Sequence, residues 1–256
     1  MIVVQGVDAL EAGVGRLFVV VGVFDGLHRG HQYLLRHLVG GARARSAHAT
    51  VITFDHHPDE ILVGAAPPLL CDPAERLDLL AAAGVEVTIV QHFDEALRHT
   101  PYDAFIDRIR ARAGLAGFLM IPDAAFGHER RGTPATVAAY GAEAGFEVEV
   151  VPAFTLDGRP VRSSDIRAAI AGGDLAGARA LLGRAVAVVG DASTGGAGQG
   201  RSRVTFALPV ALPPVGRYPV GVAMGGRRPI RAAAEVSDAW LTLDRPVEGR
   251  ARITFA

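Results

Sequence analysis

The stretch from Leu17 to His31, LFVVVGVFDGLHRGH, decides the fold of this 256-residue chain. Its first half is a continuous apolar run rich in valine, which is typical of a strand buried on both faces of a parallel sheet. A turn with glycine follows at Phe24–Gly26, and leucines then recur at helical spacing. A buried strand, a tight turn and an amphipathic helix together predict the first unit of an α/β fold.

The same alternation continues to residue 182. Right-handed crossovers between the predicted strands would place them in one parallel sheet. The first strand is predicted at Leu17–Val23, and the later ones at Ala49–Phe54, Val85–Val90, Gly117–Ile121 and Phe146–Val151. The predicted helices are His31–Val39, Pro73–Ala83, Tyr102–Ala113, Thr136–Ala144, Asp165–Ala171 and Leu175–Leu182.

The pattern changes after Arg184. A glycine-rich loop at Gly195–Gly200 is followed by short β-like runs that proline and glycine interrupt. These runs are Val204–Leu208, Tyr218–Met224, Arg231–Val236, Trp240–Leu243 and Ala251–Phe255. We therefore predict a Rossmann-like parallel-sheet domain over 1–183 and a small antiparallel β-barrel-like domain over 184–256.

Composition narrows the classes of function. A formal net charge of -1 argues against partners bound through bulk positive charge, such as nucleic acid or an anionic membrane. Cys71 is the only cysteine, so no intrachain disulfide forms and a reducing cytoplasm is expected. No apolar run reaches the roughly 18 residues of a spanning helix, and the N-terminus lacks a basic signal region. The chain contains no lysine, which excludes covalent catalysis by lysine.

His28 and His31 lie three residues apart where the first strand gives way to a helix. Ligands of open α/β sheets bind at that edge, and helix N-termini attract anions, so the two histidines predict a phosphate site. Zinc helices pair histidines four apart around a glutamate, a pattern that is lacking here, and we assign no metal ligands. The alternative is that both are incidental surface histidines.

Ser163, Ser164 and Arg167 form a second candidate phosphate-binding group. Hydroxyl groups at a helix start and a nearby guanidinium are suited to bind phosphate oxygens. The alternative is an ordinary helix cap followed by a surface arginine.

Five motifs in order resemble those of bacterial FAD synthetases, the adenylyltransferase half of bifunctional riboflavin kinase/FAD synthetase. GVFDGLHRGHQ, from Gly22, is similar to the family's GxFDGxHxGH, and TFDHHP, from Thr53, to its TF(D/E)PHP. DAAFG, from Asp123, resembles (D/N)FxFG, and RSSDIR, from Arg162, resembles SSTxIR. The run from Gly173 to Arg184 is similar to GDxxxAxxLLGR.

The resemblance implies attack by the phosphate of FMN on the α-phosphorus of ATP, giving FAD and pyrophosphate, with Mg²⁺ assisting. It implies catalytic roles in binding and charge stabilisation for His28, His31, Ser163, Ser164 and Arg167. The same five residues would bind ATP together with Gly22, Phe24, Asp25, Gly26 and Gly30. Flavin binding would fall to Phe54, Pro58, Asp123 and Phe126. For each of them the alternative is packing in the sheet or a loop turn, and for Phe54 this alternative is at least as strong as the ligand role.

The chain departs from the family pattern at four positions. Ala124 replaces a phenylalanine, Ile121 a glycine, His56 a proline and Arg162 the first serine of SSTxIR. Two further hypotheses therefore stay open: transfer to a modified flavin or another phosphorylated acceptor, and a catalytically inactive regulator that binds nucleotide or flavin.

The C-terminal region resembles a shortened, degenerate riboflavin kinase barrel. The family carries a PTAN motif where this chain reads SRVTFALP, from Ser202, and the chain contains no asparagine. The resemblance implies a domain without riboflavin kinase activity. The oligomeric state is not predicted.

Overall fold

A computed structural model describes residues 1–11, 13–194 and 200–256. Most of the predicted loop at Gly195–Gly200 therefore lies outside the described residues. The strands are β1 Ile2–Gln5, β2 Arg16–Val21, β3 His48–Phe54, β4 Val87–Gln91, β5 Gly114–Met120, β6 Glu147–Val150, β7 Thr155–Leu156, β8 Arg159–Pro160, β9 Ala187–Ser193, β10 Ser202–Thr205, β11 Gly216–Ala223, β12 Ile230–Val236, β13 Trp240–Leu243 and β14 Gly249–Phe255. The helices are α1 Arg29–Ala44, α2 Asp59–Leu62, α3 Pro73–Ala82, α4 Glu95–Arg98, α5 Tyr102–Arg110, α6 Pro134–Ala144, α7 Ser163–Ala171 and α8 Leu175–Leu182.

The chain divides into two compact units that are interleaved along the sequence. Unit 1 comprises Met1–Phe24, Gly30–Ala66 and Leu77–Pro160. Unit 2 comprises Asp25–Arg29, Pro67–Arg76 and Val161–Ala256. Two short segments from the N-terminal half of the chain thus belong to the unit that contains the C-terminal strands.

Unit 1 is built on a six-stranded sheet in the order β1-β4-β3-β2-β5-β6, and every adjacent pair is parallel. The central strands are buried on both faces, as the valine-rich run at β2 predicts. The core includes Leu17, Val19, Ile52, Val87, Ile89, Phe105, Ile109 and Phe118. The parallel α/β sheet predicted from the sequence is therefore confirmed.

Helix α1 is longer than the predicted His31–Val39 because it continues through Gly40 and Gly41. A Cβ added at Gly41 would lie 2.6 Å from the ring of Phe18 in β2. The missing side chain therefore lets the helix approach the sheet closely, and this packing offsets the low helix propensity of glycine.

Unit 2 contains a closed antiparallel barrel in the order β10-β13-β12-β11-β14-β9. Inward-facing residues alternate along its strands, as Val220 and Val222 of β11 and Ala251, Ile253 and Phe255 of β14 illustrate. The predicted antiparallel β-barrel-like fold is confirmed. Strand β9 closes the barrel by pairing with both β10 and β14. The sequence analysis did not predict this strand.

Candidate functional site

The turn between β2 and α1 adopts an unusual backbone conformation. Phe24, Gly26 and Leu27 have φ angles of 54°, 76° and 35°. A Cβ added at Gly26 would lie 2.8 Å from the Cβ of Leu70, so this position requires glycine for both conformation and space. Backbone of this kind at the start of a helix is a common feature of functional sites.

Asp25 is buried in unit 2, and its carboxylate is held by protein donors. The backbone N–H of Leu70 donates to Oδ1 and Oδ2 at 2.9 and 3.0 Å, and that of Cys71 donates to Oδ1 at 3.2 Å. Nη2 of Arg167 donates to Oδ2 at 2.5 Å, and Nε of Arg167 donates to the carbonyl of Pro68 at 2.7 Å. Asp25 therefore fixes both the loop that contains Leu70 and the Arg167 guanidinium.

His28 comes directly before α1 and is only 5% exposed. Burial, followed by the positive charges of Arg184 and Arg167, lowers its pKa to about 4. The imidazole is therefore neutral at neutral pH, where it offers a hydrogen bond rather than a charge. The positive charges that act on this imidazole are the guanidiniums of Arg184 and Arg167.

Arg184 is a residue of this group that sequence reasoning did not assign to the site. Its Nη1 donates to the carbonyl of Gly26 at 2.6 Å. Its Nε is buried and meets no hydrogen-bond acceptor among the described residues. An unsatisfied buried N–H of this kind is costly, so the position suits an anionic ligand. The final arginine of the GDxxxAxxLLGR-like run was the available signal.

The first turn of α7 contains the two predicted serines. Ser163 Oγ donates to the backbone carbonyl of Asp25 at 3.4 Å, and Ser164 is exposed in the same turn. Arg162 occupies the N-cap position and makes no side-chain capping bond within the described structure. An arginine has no side-chain oxygen, so it is unable to accept a hydrogen bond from the first N–H groups of the helix.

His31 lies in the first turn of α1, within unit 1, and Gly30 precedes it. The centroids of the His31 and Phe24 rings are 5.0 Å apart. A Cβ added at Gly22 would approach the Phe24 ring to 3.1 Å, so Gly22 allows this ring to fold back on the strand end.

Unit 1 contains a cavity of about 760 Å³ at the carboxyl ends of the parallel strands. Phe54, Pro58 and Phe126, three of the residues that the resemblance assigns to the flavin, line it, and so do Gly22, Phe24 and His31 from the predicted ATP set. The remaining lining is largely apolar and includes Leu34, Leu62, Phe93, Leu97, Phe105, Phe118 and Met120.

Two aromatic contacts hold the walls of the cavity. Phe126 stacks on Phe118 at 5.6 Å between ring centroids, and Phe54 meets Phe93 edge to face at 5.4 Å. Asp123, the fourth predicted flavin residue, is exposed and is not among the cavity-lining residues. It directly precedes Ala124 in the loop after β5, and its backbone carbonyl accepts a hydrogen bond from Arg130 Nη2 at 3.3 Å.

Two of the departures from the motif pattern also line the cavity. Ile121 and Ala124 lie on the loop after β5 and contribute to its wall. Since alanine is smaller than the phenylalanine that it replaces, the wall has less aromatic surface at this point.

None of the helices in the described part of the chain is both long enough and apolar enough to span a bilayer.

Comparisons with known proteins agree with the motifs. The family model for FAD synthetase matches residues 13–165. The bifunctional riboflavin kinase/FMN adenylyltransferase of Haemophilus influenzae is 36% identical over 172 residues, which are 66% of this chain and 56% of the relative. That of Escherichia coli is 30% identical over 226 residues, which are 84% of this chain and 71% of the relative. The chain thus spans little more than half the length of the first of these relatives.

Among solved structures, the chain is similar to the crystal structure of a protein from Streptococcus pneumoniae described as a macrolide-efflux protein. The TM-score is 0.83 at 23% identity, covering 99% of this chain and 88% of that one. This likeness supports the fold alone. The match of the family model and the identity to the Escherichia coli protein show that this chain belongs to the FAD synthetase family of nucleotidyltransferases.

Proposed function

We propose that this chain is an FMN adenylyltransferase that forms FAD and pyrophosphate from FMN and ATP. The cavity in unit 1 carries the proposal. Its volume of about 760 Å³ suits a small organic molecule, and its wall is apolar and rich in phenylalanine. Such a wall suits the flat isoalloxazine ring, which buries a large apolar surface and stacks on aromatic side chains.

In this proposal Phe54, Pro58 and Phe126 contact the flavin. The rings of Phe54 and Phe126 are already held by Phe93 and Phe118, so the flavin would enter a preformed site. Asp123, which is exposed beside this loop, would contribute at the edge of the flavin.

The ATP phosphates would be bound by His28, His31, Ser163, Ser164 and Arg167. The backbone at Gly22, Phe24, Gly26 and Gly30 would lie close to the nucleotide, and Asp25 would act by holding Arg167. We add Arg184 to this set because its buried Nε meets no acceptor among the described residues. Mg²⁺ would arrive with ATP as part of the substrate.

The reaction requires that the FMN phosphate be aligned with the α-phosphorus of ATP and that the developing negative charge be stabilised. An oxygen of the FMN phosphate forms a bond to the α-phosphorus of ATP, and the bond from that phosphorus to the bridging oxygen of pyrophosphate breaks. The attacking oxygen is already ionised at neutral pH, so no general base is needed. Guanidinium groups and imidazole N–H groups would stabilise the charge that spreads over the transferred group.

A covalent intermediate is not part of this mechanism. The chain has no lysine, and burial raises the pKa of Cys71 to about 12, which keeps this thiol protonated and unreactive. The proposed transfer is a single displacement.

The test is an acceptor screen with pyrophosphate release as the readout. FMN with ATP and Mg²⁺ is expected to give FAD and pyrophosphate, and His28→Ala and Arg167→Ala are each expected to lower turnover by roughly 100-fold or more. Arg228→Ala, an exposed arginine of unit 2, is the matched control and is expected to be unaffected. No turnover of FMN by the unmodified protein would contradict the proposal.

A second candidate function is nucleotidyl transfer to a modified flavin or another phosphorylated acceptor. Ala124 and Ile121 favour it because both alter the cavity wall. Release of pyrophosphate with such an acceptor, and none with FMN, would identify this case.

A third candidate is a regulator that binds nucleotide or flavin without catalysis. Arg162 favours it, because this arginine stands at the N-cap of α7 in place of a serine and makes no side-chain capping bond. Tight calorimetric binding of ATP without pyrophosphate release under any acceptor would identify a regulator.

We further propose that the barrel of unit 2 has no riboflavin kinase activity and serves a structural or oligomerising role. The support is the sequence at Ser202–Pro209, which offers no asparagine. Incubation of riboflavin with ATP is expected to give no FMN. We propose a cytoplasmic protein that acts without nucleic acid or a membrane as a partner.

A further inference from the structure

Asp55, His56 and His92 form a cluster in unit 1 to which the proposed reaction assigns no role, although Asp55 and His56 belong to the TFDHHP run. Asp55 and His56 follow the last residue of β3, and His92 follows the last residue of β4. These strands are neighbours in the parallel sheet, so both loops begin at the same edge. One ligand atom from each of the three side chains lies within 4.8 Å of the other two.

The Asp55 carboxylate is held in a fixed orientation. Its Oδ1 accepts hydrogen bonds from the backbone N–H groups of His56 at 2.7 Å and Phe93 at 3.2 Å. Its Oδ2 faces Nδ1 of His92 at 2.6 Å, and Nδ1 of His56 lies 3.2 Å from Oδ1. The carboxylate is thus oriented from the backbone side and presents its remaining lone pairs to two imidazoles.

We propose that Asp55, His56 and His92 bind a divalent transition-metal ion, for which Zn²⁺ is the best fit. Imidazole nitrogen is a preferred ligand of zinc and its neighbours in the first transition series, whereas Mg²⁺ prefers oxygen ligands alone. Two histidines and one carboxylate also make a ligand set that is known for zinc with an open position.

The geometry requires only small movements. Zinc bonds of about 2.0 to 2.2 Å to nitrogen and oxygen in a tetrahedral site would separate His92 Nδ1 from Asp55 Oδ2 to about 3.4 Å. Their present distance is 2.6 Å, and the ion would replace the proton that the two atoms share. His56 and His92 are both exposed, so their rings are able to turn while Asp55 stays fixed. Water or a ligand atom would fill the fourth position.

The cluster is connected to the cavity through neighbouring residues. Phe54, His57 and Phe93 line the cavity, and each is adjacent in sequence to one member of the cluster. A bound ion would therefore fix the two loops that form this part of the wall. The site binds the metal by itself and does not depend on the identity of the cavity ligand.

The test is calorimetric titration of the full chain, freed of metal by a chelator, with Zn²⁺ alone. One ion per chain is expected to bind, and Asp55→Asn, His56→Ala and His92→Ala are each expected to weaken binding at least tenfold. His48→Ala is the matched control, because His48 pairs with Glu86 at 3.2 Å at the opposite end of β3. This variant is expected to bind Zn²⁺ as the unmodified chain does.

Two results would overturn the proposal: no stoichiometric binding by the unmodified chain, or undiminished binding by His92→Ala. Circular dichroism without metal checks that each variant is folded. If a variant fails to fold, the visible spectrum of the unmodified chain with Co²⁺ decides the matter. Bands of nitrogen coordination at one equivalent support the site, and the spectrum of the aqueous ion rejects it.

Discussion

Nη2 of Arg167 lies 2.5 Å from Oδ2 of the buried Asp25. This ion pair joins two of the sequence motifs, because Asp25 belongs to the glycine-rich turn and Arg167 to the first helix after the parallel sheet. An acidic residue in a proposed site for a polyanion would be unfavourable if it were free. Here the carboxylate is engaged by protein donors, and its effect is to orient the arginine.

Asp25→Ala is expected to lower the free energy of unfolding by about 3 to 5 kcal/mol. The substitution leaves the half-buried Arg167 guanidinium without its counter-ion and removes the acceptor of the Leu70 and Cys71 N–H groups. Urea denaturation at pH 7 measures the change. Arg217→Ala breaks an exposed pair with Asp244 and is expected to cost less than about 1 kcal/mol. Equal effects of the two substitutions would contradict this account.

The stability of the protein is expected to fall as the pH drops below the ordinary pKa of histidine. Burial and two guanidiniums lower the pKa of His28 from 6.5 to about 4 in the folded state. The unfolded chain therefore takes up a proton on lowering the pH from about 6.5 to about 4, while the folded chain does not.

From this one group, stability at pH 5 is expected to be roughly 2 kcal/mol lower than at pH 7. Denaturation curves of the unmodified chain and of His28→Gln at both pH values isolate the contribution, since glutamine does not titrate. Identical pH dependence in the two proteins would show that His28 titrates normally.

Arg162→Ser is expected to stabilise the protein by about 1 kcal/mol. Serine at this N-cap position offers an oxygen to the free N–H groups of α7, which arginine is unable to do. Thermal unfolding measures the gain. Arg159→Ser, an exposed substitution in β8, is the control and is expected to change little. A loss of stability in Arg162→Ser would indicate that the arginine side chain has a role of its own.

Ala124→Phe is expected to tighten FMN binding about fivefold, equivalent to roughly 1 kcal/mol, if FMN is the ligand of the cavity. The new ring would extend the aromatic wall that Phe126 and Phe118 form. Fluorescence titration with FMN measures the affinity. Ala139→Phe adds the same ring at an exposed position of α6 and is the control. Weaker binding of FMN would indicate that Ala124 makes room for a bulkier acceptor.

The fold was predictable from local patterns. Strands such as β2 and β3 are buried on both faces, so they are apolar throughout and easy to identify. Edge strands give a weaker signal: β1 is mostly exposed and has no clear alternation. The barrel strand β9 was missed because its seven residues, AVVGDAS, combine a short apolar run with glycine and aspartate.

The site was predictable only in part. Phe54, Pro58 and Phe126, which the motifs group together, line one cavity, whereas the neutral state of His28 depends on burial and on Arg184, which are properties of the folded chain. The cluster of Asp55, His56 and His92 joins residues from two loops, and sequence spacing does not reveal such proximity. The roles assigned to these residues stay predictions until they are measured.

The interleaving of unit 2 has a practical consequence for anyone who wishes to dissect this protein. A chain shortened to end at residue 183 would lose the guanidinium that donates to the carbonyl of Gly26. It would also lose Arg250 and Arg252, which pair with Asp72 and Glu75 at the start of α3. Deletion of the barrel would therefore disturb the glycine-rich turn itself, and loss of activity in a truncated protein would not by itself implicate the barrel in catalysis.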